Sequence, residues 1–134
     1  MNISTINFAA VGLAAVSYFI TGGIWYSLLF GKAWMAANGF SAAQVAGFNK
    51  ARTFIGAFIF ALIMAFNLAM YLNAPGTNTA WGATAGFLAG FGWVALSIGV
   101  VGLFENRSWK YIIVNGAYQA IAFTIMGAIL GTWR

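Results

Sequence analysis

Asn115, Tyr118 and Gln119 stand three and four residues apart inside a long apolar run, which places two carboxamides and a phenol on one face of a helix. Polar side chains within an apolar span are costly, so they mark either hydrogen bonds between helices or a site for a ligand or a permeating solute. Ser17 with Thr21, and Trp93 with Ser97, fall at comparable depth in two other apolar runs. A polar cluster of Asn115, Tyr118, Gln119, Ser97 and Ser17 is therefore expected, with interhelical hydrogen bonding as its plainer role.

The remaining reactive chemistry is sparse. Glu105 is the only acid, and it lies at the end of an apolar run beside Arg107 and Lys110. That position suits a local ion pair or a headgroup contact better than a proton or cation site within the membrane. One carboxylate cannot perform the paired acid and base work of hydrolysis. There is no Cys and no His, which removes thiol nucleophiles, thiolate metal sites, imidazole bases and the commonest haem ligands. No glycine cluster precedes Lys-Ser or Lys-Thr, so a phosphate loop is absent. These absences point to a protein that is not an enzyme and carries no cofactor. Asn, Gln or a backbone carbonyl could ligate a pigment or quinone in place of His, but no feature of the sequence supports one.

The elements that must carry these residues follow from composition. Of 134 residues 63% are hydrophobic and 5% charged, against about half apolar and a quarter charged in soluble domains. A span needs about 20 mostly apolar residues, given a rise of about 1.5 Å per residue and a hydrocarbon core of about 30 Å. Four segments qualify: about Ser4 to Phe30, Thr53 to Leu72, Thr79 to Phe104 and Trp109 to Thr132. These continuous runs lack the alternation a membrane β-barrel requires. The expected fold is all-α, a single transmembrane domain forming an integral membrane four-helix bundle.

The connections have their own chemistry. Asn73-Ala-Pro75-Gly76 is a turn, and Thr77, Asn78 or Thr79 can cap the third helix. Glu105-Asn106-Arg107-Ser108 is a polar corner in which Asn106 or Ser108 caps the fourth. Ser41-Ala-Ala-Gln44 is a capping-box pattern, which predicts a short cytoplasmic surface helix between helices 1 and 2.

Lys32, Lys50 and Arg52 flank the first connection and Arg107 and Lys110 the third, whereas the second has no basic residue. The positive-inside bias places the first and third connections in the cytoplasm and both termini outside. Trp25, Tyr26, Lys32, Trp34, Glu105, Asn106 and Arg107 then form an aromatic and basic corner on the cytoplasmic side. The net charge of +5 has anionic lipid headgroups as its natural partner; nucleic acid is not expected, because the basic residues lie only at span ends.

Small residues recur every fourth position as Ala57, Ala61, Ala65 and Ala69, as Gly82, Gly86 and Gly90, and as Gly116, Ala120, Thr124 and Ala128. Such stripes let helix backbones approach closely where lipid supplies no hydrophobic drive. They could pack within one bundle or against another subunit. A weak internal echo links Gly23 and Trp25, ahead of Leu29-Phe30, with Gly92 and Trp93, ahead of Leu103-Phe104.

Gly23-Ile-Trp25-Tyr26-Ser-Leu-Leu-Phe30-Gly31-Lys32-Ala-Trp34, Leu103-Phe104-Glu105-Asn106-Arg107-Ser108, Asn115-Gly116-Ala-Tyr118 and the closing Gly127-Ala-Ile-Leu-Gly131-Thr-Trp133 together resemble a bacterial family of small four-helix membrane proteins classed as a domain of unknown function. The resemblance implies fold and a bacterial inner-membrane location, and brings no activity. The function expected is a non-enzymatic membrane protein acting through helix packing, as a homo-oligomer or a small accessory subunit of a larger complex. The alternative is a small transporter or channel for an uncharged or weakly charged solute, with the Asn115, Tyr118 and Gln119 face lining the path.

Overall fold

The computed structural model describes residues 2–134. After a short 3-10 turn at Ile3–Thr5, α1 spans Phe8–Gly23 and continues through a π-helical segment, Ile24–Leu29. Helices α2 (Gly31–Asn38) and α3 (Ala42–Ala46) make up the first connection, followed by α4 (Lys50–Leu72). Helix α5 (Thr79–Ala89) passes through a second π-helical segment, Gly90–Ala95, into α6 (Leu96–Phe104), and α7 (Trp109–Thr132) completes the chain. Four helical segments are long and apolar enough to cross a membrane: Phe8–Leu29, Lys50–Leu72, Thr79–Phe104 and Trp109–Thr132. The protein is an all-α, multi-span membrane helix bundle.

Each span starts on a side-chain cap that accepts from an otherwise unpaired N–H in the first turn. Asn7 accepts from Ala10, Asn49 from Arg52, Asn78 from Trp81 and Ser108 from Tyr111. Among the caps offered by the sequence, the structure thus uses Asn78 and Ser108. Asn106 instead takes a positive φ of 56° at the end of α6, a conformation Asn tolerates better than most residues. The capping box is present, with Ser41 N–H donating to Gln44 at 2.7 Å and Gln44 N–H to Ser41 at 3.1 Å. One short helix was expected in the first connection; there are two, the longer one ahead of Ser41 and closed by Gly39 at a φ of 69°.

Helix α7 occupies the middle of the bundle, with α1, α4 and the α5–α6 span packed around it. Its most apolar stretch is 44% buried, against 28% in α1 and α4 and 17% in α5–α6. The centre is built of small residues around a few large ones: Ala10, Ala14, Ala61 and Ala65 have no exposure, and Leu72 and Met126 are the largest fully buried side chains. Asn73 Nδ2 donates to Asn2 O and Thr5 Oγ1, the Thr79 and Thr132 hydroxyls are 2.7 Å apart, and Arg134 donates to Thr77 O. Those bonds collect the second connection and both ends of the chain at one end of the bundle. The first and third connections share the other.

Candidate functional site

Two faces of α7 carry the features that the sequence singles out, and each meets a neighbouring helix that widens into a π-helical segment.

The first face lies against α5 and α6, where backbone touches backbone. A Cβ added to Gly82 would strike the carbonyl oxygen of Gly127 and sit 2.9 Å from the Cα of Gly131. One added to Gly86 would strike Phe123 O, and one added to Gly127 would strike Gly82 O and come within 3.0 Å of Gly86 Cα. At Gly90 the same atom would lie 2.6 Å from Gln119 O. The glycine stripe is therefore engaged inside the monomer, against Gly127 and Gly131, which the sequence reading did not place in any packing stripe.

Helix geometry explains why. Four residues advance about 400°, so a period-four stripe rotates by about 40° at each step. On α7 that drift carries Gly116 and Ala120, both buried, out through half-exposed Thr124 and Ala128, while Phe123, Gly127 and Gly131 take over the contact. On α4 it leaves Ala57 half-exposed where Ala61 and Ala65 are fully covered. On α5–α6 the π-helical segment adds a residue to the repeat between Gly90 and Ala95. Inward positions then continue as Ala95, whose Cβ lies 3.3 Å from where Gly116 would carry one, and as Gly99 and Gly102 against Ile112. The wide turn resets the drift and keeps small residues on α7 along the whole span.

The second face lies against α1 and is polar and aromatic. Tyr18 Oη sits 3.1 Å from Gln119 Oε1 and 3.0 Å from Nε2, meeting both ends of the carboxamide. Tyr118 Oη donates to Tyr18 O at 2.8 Å, Tyr26 Oη to Asn115 Oδ1 at 2.7 Å, and the Trp25 indole N–H to Val114 O at 3.0 Å. Asn115 completes its pairing by donating to Tyr111 O. The rings of Tyr18 and Tyr26 each stand 5.1 Å from that of Tyr118, and Gly22 leaves room for its hydroxyl. The π-helical segment at Ile24–Leu29 carries both Trp25 and Tyr26 into this cluster. No buried side-chain nitrogen or oxygen among the described residues lacks a partner.

This cluster differs from the expected one in its membership. Asn115, Tyr118 and Gln119 do converge, but Ser97 is exposed and bonds back to Trp93 O, and Ser17 bonds to Ala14 O within its own helix. Their hydroxyls satisfy themselves on the preceding turn, as serines in apolar helices do. Trp25 and Tyr26 leave the expected headgroup corner for the α1–α7 interface, because their polar ends find partners on α7, the indole N–H at Val114 O and the phenol at Asn115 Oδ1. Tyr18 joins with no motif to announce it. Its place one turn before Gly22, and two before Trp25 and Tyr26, is the only signal the sequence offers.

Of the corner, Lys32, Glu105, Asn106 and Arg107 do lie at one end of the bundle. Glu105 and Arg107 form an exposed ion pair at 3.4 Å, Arg107 covers the Tyr111 ring at 4.9 Å, and Trp34 packs edge-on against Tyr26 and Phe40. Such an exposed pair contributes about 1 kcal/mol or less. Chemically, the α1–α7 cluster fixes one helix against another. The carboxamides that could ligate a pigment are already bonded to tyrosines.

No curated protein and no solved structure matches this chain. A family model described as "Protein of unknown function (DUF1761)" matches residues 9–131, which take in all but the first residue of the first span and the last residue of the fourth, with both π-helical segments between them; the chain belongs to the DUF1761 family.

Proposed function

We propose that the protein acts without enzymatic chemistry, as a helix-packing unit of a larger membrane assembly: a homo-oligomer or a small accessory subunit. The observation that carries this reading is the shape of the third span. It joins the bundle mainly through its glycine face on α7, and its outer side is left apolar and large. Trp93 is 71% exposed halfway along it, and the exposed rings of Phe87 and Phe91 stack in parallel on the same span, 5.5 Å between centroids. Tryptophan favours the headgroup level over mid-span, so an outward indole at that depth suits a protein neighbour. A solute path along Asn115, Tyr118 and Gln119 has less support, because that face is closed by α1.

Extraction in mild detergent followed by native mass spectrometry tests this. The expected result is a complex of two or more copies, or of this chain with one fixed partner, weakened by Trp93→Ala without a change in the melting temperature of the chain itself. Recovery of the monomer alone under the mildest conditions would overturn the proposal.

The same reading places the chain in a bacterial inner membrane, with the end bearing Lys32, Lys50, Arg52, Arg107 and Lys110 toward the cytoplasm. Ala43 in the first connection and Ala74 in the second are both exposed and suit single-cysteine reporters. In intact cells an impermeant thiol reagent should label Ala74→Cys and spare Ala43→Cys; the reverse pattern would refute this orientation.

A further inference from the structure

We infer that the outer face of the first half of α4 is a binding site for an anionic phospholipid, with the headgroup at Arg52 and an acyl chain lying along Gly56, Ala57 and Phe60. Asn49, Arg52, Thr53, Gly56, Ala57 and Phe60 recur at intervals of three and four and so share one side of α4. Together with Phe48 they line an open groove of about 540 Å³. Gly56 forms its waist, where an added Cβ would meet nothing within 4 Å. Phe48 makes the wall at the headgroup end. It is held there by a run of edge-to-face rings, Trp34 on Phe40 at 5.5 Å and Phe40 on Phe48 at 5.3 Å, so that the first connection shapes the groove's mouth.

Charge selects the occupant. The only ion pair among the described residues joins Glu105 to Arg107, which leaves the Arg52 guanidinium without a carboxylate, and Lys50 stands two residues away. No acid occurs between residues 31 and 52. At the depth where α4 enters the bilayer, the anion within reach of such a guanidinium is a lipid phosphate, which Arg can bind in bidentate fashion. Asn49 Oδ1 is committed to the Arg52 N–H, which fixes the start of the helix, and Asn49 and Thr53 both line the groove beside Arg52. Below that polar mouth the groove turns apolar within two helical turns, the profile of a phospholipid and not of a free anion. The site is independent of the assembly proposed above.

Native mass spectrometry of the detergent-solubilised full chain, with phosphatidylglycerol or phosphatidylcholine added at equal concentration, provides the test. Phosphatidylglycerol adducts should predominate, and Arg52→Gln should weaken them about tenfold, as expected for loss of a charge-assisted contact. Gly56→Leu fills open space and should lower adduct formation without lowering the melting temperature. Lys110→Gln, which removes a cation outside the groove, should leave binding unchanged. Equal uptake of the two lipids would overturn the site, as would equal losses for Arg52→Gln and Lys110→Gln or displacement of the lipid by millimolar inorganic phosphate.

Discussion

Gly127→Leu should prevent α5 from docking on α7 and cost about 3 kcal/mol or more, at the upper end of what overpacking does. The reason is that the neighbours of Gly127 are backbone, not flexible side-chain ends: the Gly82 carbonyl on one side and the Gly86 Cα on the other. Neither can move without shifting the whole of α5. By contrast, Gly23→Leu and Gly92→Leu, at glycines where an added Cβ meets nothing within 4 Å, should leave stability unchanged or slightly raised, since leucine is the better helix former. Thermal unfolding in one detergent, followed by circular dichroism, separates the two classes. A Gly127→Leu protein melting with the wild type would show that the α5–α7 contact is not made.

Trp25→Ala should cost about 3 kcal/mol, within the usual range for removing a large buried aromatic side chain. Trp25 is 9% exposed, its ring lies 4.4 Å from that of Phe30 and 6.4 Å from that of Tyr118, and its indole N–H is bonded to Val114 O. Truncation removes that area, opens a cavity between α1 and α7, and frees the π-helical segment that the indole anchors. The corresponding change at Trp93, which is 71% exposed, should hardly alter the melting temperature. Equal effects of the two substitutions would mean that Trp25 does not occupy the interface.

These two tryptophans also show how much could be read before the fold was known. Each follows a glycine and precedes a Leu-Phe pair, and each lies in a π-helical segment of a span that packs on α7. The echo is therefore visible as sequence, yet one indole turns inward and the other outward. Orientation depends on the register of the widened turn, which composition does not encode. The four spans were legible because a bilayer demands length and apolarity and little else. The caps were legible as a short set of alternatives, from which the local backbone selected Asn78 and Ser108.

The candidate site was half legible. Asn115, Tyr118 and Gln119 share a face by spacing alone, whereas Tyr18 and Tyr26 reach them only through tertiary contact between α1 and α7. The glycine stripe on α5 was plain, but its partner surface was not. A period of four slides around a helix of about 3.6 residues per turn, so the true contact on α7 steps from Ala120 to Phe123, Gly127 and Gly131. Had the interval of five between Gly90 and Ala95 been recognised as a widened turn, the continuation to Gly99 and Gly102 would have followed.

The central claim is that these small-residue faces join helices of one chain. It is tested most directly by the double variant Thr79→Cys with Thr132→Cys, whose wild-type hydroxyls stand 2.7 Å apart across the α5–α7 contact, in a protein with no cysteine of its own. Mild oxidation in the membrane should yield a disulfide within the chain, seen as a monomer of altered mobility on a non-reducing gel. A ladder of disulfide-linked dimers from this pair, with no cross-linked monomer, would contradict the account and place the glycine face between subunits.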